Sequence, residues 1–166
     1  MTLPFAVIVA VIAAVLDTSV LAELPLLGAT VNLVLVSAVV ATVVLGVTDG
    51  IVLAFVGGLI VDMLTPGRPL GAVTLAMLLT LGIAFIVARS VSQNRRLVAI
   101  GLVLILTAVF HILFATIMVV TAETPFAIDF AVILIAAVLN AIVAIPLAAL
   151  FGAIERRFGE TERADW

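Results

Sequence analysis

Long apolar runs alternate with short polar breaks along the whole chain. Cutting at the charges and at the Pro/Gly clusters leaves six runs, at about 3–21, 31–47, 50–64, 70–89, 96–120 and 127–153. A membrane crossing needs about 20 apolar residues, and a helix satisfies its own backbone groups in lipid, so each run is read as a helix. The weakest break is Val47-Thr48-Asp49-Gly50. Without it, residues 31–61 would form one helix of about 46 Å at 1.5 Å per residue, far longer than a hydrocarbon core of about 30 Å. A tight hairpin with Asp49 at the turn is therefore expected. The third run is then the short or irregular one, about 22 Å long. Gly57 and Gly58 in its middle would let it bend or pack closely. The expected fold is an all-α, six-helix transmembrane bundle, one domain over residues 1–166 with a short polar tail at 154–166.

Composition turns this pattern into a membrane assignment. Hydrophobic residues make up 66% of the 166 residues and charged ones only 10%, with a mean hydropathy of +1.53. A soluble domain carries roughly 25% charged residues, so a water-soluble surface is excluded. The N-terminal run has no Lys or Arg before it and no A-x-A-like cleavage site after it, so an uncleaved helix is expected. With six crossings, one side of the membrane collects Arg89, Arg95, Arg96, Arg156, Arg157 and Arg163. The other collects Arg68 with Asp17, Glu23, Asp62, Glu123 and Asp129. The arginine bias predicts that the first side, with both termini, is cytoplasmic. The arginine pairs 95/96 and 156/157 read as anchors for membrane lipid phosphate.

The chemical inventory is thin. There is no Cys, no Tyr and no Lys, and there is one His. Neither thiolate chemistry nor a phosphate-binding glycine loop can be built, and the usual acid–base groups are nearly absent. A non-enzyme with no cofactor, no metal and no nucleic-acid partner is expected. The polar residues inside the runs then stand out. Asp62 ends the third run before Thr65-Pro66-Gly67-Arg68-Pro69, where two prolines forbid helix continuation and Gly67 permits positive φ. Its carboxylate either holds free N–H groups of that turn, with Arg68 as a further candidate, or meets a partner outside the membrane. Asn32 opens the second run as a cap or an interfacial contact. His111 and Asn140 lie mid-run and can bond across helices. Pro146 follows Asn140 in the sixth run, where a kink is expected. Ala6, Ala10 and Ala14 form one row of small residues, and Gly46, Gly50, Ala54 and Gly58 another. Such rows let helices approach closely, either inside the bundle or against another protein.

Residues 31–75 resemble the rod-shape-determining MreD family. The resemblance rests on Val31-Asn32-Leu33, the small-residue hairpin from Gly46 to Gly58, the F-x-G-G-L-x-x-D-x-L stretch from Phe55 to Leu64, and Pro69-Leu70-Gly71. Asn32 stands where many members carry Asp. The resemblance implies a non-catalytic subunit of the bacterial inner-membrane machinery that elongates the lateral cell wall. Its direct partner would be MreC, a single-pass protein with a periplasmic coiled coil. RodA, its transpeptidase and MreB would complete the wider complex. Asp62, Pro66, Gly67, Arg68, Pro69 and Gly71 would then shape an outer corner for docking. The alternative resemblance is to the substrate-binding subunit of an energy-coupling-factor vitamin transporter. That family also has six helices, and it meets its coupling subunit through an Ala-x-x-x-Ala face on the first helix. Its outer ligand pocket needs polar and aromatic walls, which this chain's outer loops lack.

Overall fold

The six runs become six α-helices. The structure, a computed structural model, describes residues 3–67, 69–90, 94–122 and 129–163. The helices are α1 (Leu3–Ser19), α2 (Leu33–Val44), α3 (Val47–Leu64), α4 (Ala72–Ser90), α5 (Arg95–Ala122) and α6 (Phe130–Arg163). All but α2 are long and apolar enough to cross a membrane. Large apolar side chains such as Ile8, Ile12, Ile86, Ile105 and Leu134 stay exposed on the outside of the bundle. That surface suits lipid, and the chain is a multi-pass membrane protein. Arg68 and Glu123 lie outside the described residues, as do the side chains of Arg157 and Arg163.

The short helix is the second, not the third. α2 has 12 residues, roughly 18 Å, while α3 is an unbroken helix of 18. Both ends of α2 explain this. At its start Asn32 leaves the helical region and its side chain caps the N–H of Leu35. At its end Leu45 and Gly46 both donate to the carbonyl of Ala41, at 2.8 and 2.9 Å, which closes the helix. Gly46 then turns the chain with φ of 140°. The hairpin therefore turns at 45–46, and Asp49, expected at the turn, sits buried in the first turn of α3. At the C-terminus, α6 continues through much of the expected tail to Arg163. Pro146 lies inside that helix.

α2 is the centre of the molecule. Every residue from Val34 to Val44 is buried, and the helix packs against α1, α3, α4, α5 and α6. α3 reaches three of its neighbours through glycines. A Cβ at Gly57 would lie 2.5 Å from Cγ1 of Val34 on α2 and 3.6 Å from the Ala10 carbonyl on α1. A Cβ at Gly58 would lie 2.9 Å from Cα of Thr74 on α4, and one at Gly50 would collide with the Thr42 hydroxyl of α2. Ala6, Ala10 and Ala14 are fully buried. Both small-residue rows thus face inward where they are helical, and they set the close approach of α1, α2, α3 and α4.

Candidate functional site

Two carboxylates organise one end of the bundle by the same device. Asp62, in the last turn of α3, accepts from the N–H of Val73 at 2.9 Å. It also accepts from the N–H and hydroxyl of Thr74 at 3.0 and 2.7 Å. The N–H of Ala72 donates to the Pro69 carbonyl, and that of Leu75 to the Gly71 carbonyl. A helix leaves its first N–H groups without intrahelical acceptors; here all of them are met, and the negative charge suits the positive end of the α4 dipole. The connecting turn uses Gly67 at φ 85° and Gly71 at φ 93°, with Pro66 and Pro69 ending any helical continuation. Asp62 is 5% exposed. It holds the corner together and cannot itself reach a partner. Met63, Leu64 and Leu70 are the exposed apolar side chains around it.

Asp17 repeats the arrangement for α2. From the end of α1 it accepts the N–H groups of Leu33 and Val34, at 2.7 and 2.9 Å. The N–H of Leu35 goes to the Asn32 side chain at 2.8 Å, and that of Val36 to the Asn32 carbonyl. The N–H of Asn32 donates to Oδ1 of Asn140 at 2.9 Å, and Nδ2 of Asn140 donates to the Thr107 hydroxyl at 3.1 Å. Asn140 and Thr107 are fully buried. His111 and Asn140 do not bond to each other; Nδ1 of His111 faces the Thr107 carbonyl at 2.7 Å, so that nitrogen carries the proton. One polar chain thus runs from α1 through the start of α2 to α6 and α5.

This chain answers a demand of the lipid phase. Asn140 lies roughly 15 Å along α6 from Phe130 at 1.5 Å per residue, so α2 begins well inside the bundle. Non-helical backbone at such depth is tolerated only where protein satisfies it. The connection from α1 provides that cover. It includes a 3-10 turn at Leu21–Glu23 and a tight turn in which Leu26 and Ala29 exchange both backbone bonds. Leu27 and Gly28 both take positive φ at its tip. Above the start of α2 a cleft of about 400 Å³ opens between the two corners, lined by Asp17, Thr18, Thr30, Asn32, Thr65 and Met77 among others.

The structure therefore brings Asn32, Asn140 and His111 into one network and places Asp62, Pro66, Gly67, Pro69 and Gly71 at a separate, adjoining corner. Asp17, Thr74 and Thr107 belong to these sites but were not singled out from sequence. Asp17 had a legible signal: like Asp62, it is an acid ending an apolar run before a turn-rich stretch. No family model, curated protein or solved structure matches the chain.

Proposed function

We propose that this chain is a non-catalytic membrane scaffold of the MreD type, which docks a single-pass MreC-like partner in the cell-elongation machinery. RodA, its transpeptidase and MreB belong to the wider complex on this reading. The termini are cytoplasmic, and the Asp62 corner faces the periplasm. The observation that carries the proposal is the use made of polar groups. Among the described residues, no buried side-chain nitrogen or oxygen lacks a partner. Asp17, Asn32 and Asp62 hold helix starts in place, and the outcome is a stiff corner rather than a reactive one.

The alternative, a vitamin-capturing transporter subunit, draws support from the cleft beside Asp17. Two features weigh against it. Carriers point the N-terminus of a broken helix at their substrate, whereas Asp17 and Asn32 already occupy that of α2. The Ala6-Ala10-Ala14 face, which a coupling subunit would need, is buried.

The test is purification of the tagged protein from its own cells in mild detergent, with mass spectrometry of what accompanies it. A single-pass coiled-coil protein and wall synthases are expected, and Leu70→Asp together with Gly71→Leu should deplete them. An ATPase pair with a membrane coupling protein would overturn the proposal.

A further inference from the structure

The opposite end of the bundle carries a second cleft, of about 370 Å³, between the α2–α3 hairpin, the end of α4 and the start of α5. Arg89 and Arg95 line it together with Thr42, Gly46, Val47 and Phe85. Arg89 is steered by Phe85, whose ring centroid lies 5.4 Å from the guanidinium carbon. Such a cation over an aromatic face is held without losing its hydrogen-bonding edge. Arg96, next in sequence to Arg95, goes elsewhere: its guanidinium lies against Gly152 of α6, 2.6 Å from where a Cβ would stand. Arg95 is thus separated from its neighbour and left to the cleft.

The charged lining of this cleft is basic. No carboxylate lines it among the described residues, and both of its charged lining groups are arginines. Two guanidinium groups from different helices, over walls that include Val47 and Phe85, make a socket with a cationic rim and an apolar floor. Arginine forks match phosphate oxygens two at a time. Basic pockets between membrane helices take up anionic lipid head groups. We propose that this cleft is a specific site for the phosphate of an anionic phospholipid, with the arginines on the phosphate and an acyl chain along the apolar wall. Bound there, one lipid would tie the central hairpin to α4 and α5.

The experiment is native mass spectrometry of the full chain, released from nanodiscs of phosphatidylglycerol mixed with phosphatidylcholine. The wild type is expected to retain phosphatidylglycerol selectively. Arg89→Gln with Arg95→Gln should weaken retention by about tenfold or more, the scale of losing charge-assisted bonds. Arg163→Gln, in the last turn of α6 and outside the arginine pairs 95/96 and 156/157, should leave it unchanged. Equal loss in Arg163→Gln, or equal retention of phosphatidylcholine by the wild type, would overturn the proposal. Displacement of the lipid by millimolar inorganic phosphate would overturn the lipid assignment in favour of a soluble anion. A second measurement needs no variant. Photoactivatable phosphatidylglycerol should label peptides covering residues 42–47 or 85–95 in the wild type. Label spread evenly over the surface would sink the idea.

Discussion

The corners at Asp17 and Asp62 solve one problem under different constraints. In each, an acid at the end of one helix takes the first N–H groups of the next. Asp62 does so across 11 residues of sequence and closes a surface turn from a buried carboxylate, with the Thr74 hydroxyl as an extra donor. Asp17 does so across 16, and the longer connection leaves a cleft. Its corner also extends into Asn140 and Thr107, so that α2 is referenced to α5 and α6. The Asp62 corner is self-contained. The Asp17 corner is shared by much of the bundle. The difference follows from depth. α4 starts at a bundle end, while α2 starts inside, where every backbone group must find protein.

The sharpest test of this contrast is Asp62→Ala. It strands two N–H groups and a hydroxyl in a buried site, and should cost about 2–4 kcal/mol, read by denaturant unfolding in detergent. Asp62→Asn keeps an acceptor and should cost less. If both variants unfold like wild type, the corner is not held by this carboxylate. Next is Gly58→Ala, which drives a Cβ toward the Thr74 backbone beneath the same corner. Overpacking of this kind should cost about 1–3 kcal/mol, and Gly82→Ala, at a helical position of α4 where a Cβ would meet open space, should cost less than Gly58→Ala in the same assay. The third change probes the other corner. Asn140→Leu should cost about 0.5–2 kcal/mol, the range of interhelical bonds in membranes. Combined with Asp17→Ala it should be non-additive, since both act on the start of α2; combined with Asp62→Ala it should add. Additivity in both pairs would dissolve the distinction between a shared and a self-contained corner. The smallest effect is expected for Thr74→Val, about 0.5–1.5 kcal/mol, because Asp62 keeps its two backbone donors.

Much of the Asp62 corner was readable in advance. Its parts lie close in sequence, and Pro, Gly and Asp each have a local reason to be there. Little of the Asp17 corner was readable. Asn140 meets Asn32 across 108 positions, and no local pattern announces that pairing. The apolar run by itself does not mark the ends of α2. Its apolar run extends to Val47, but the helix ends where Gly46 turns and begins where Asn32 finds Asn140.

Residue chemistry alone determined that this chain lives in a membrane, that it has six helices, and that arginine gathers in the 89–96 connection and after the last apolar run. Those are properties of transfer from water to lipid, and they add up along the chain. Only the tertiary structure decided which helix is central, which is short, and which acid holds which helix start. An apolar side chain has the same hydropathy against lipid as against another helix, so the runs cannot say what they face. Close packing at glycine and alanine, and the need to satisfy each buried N–H, make that choice.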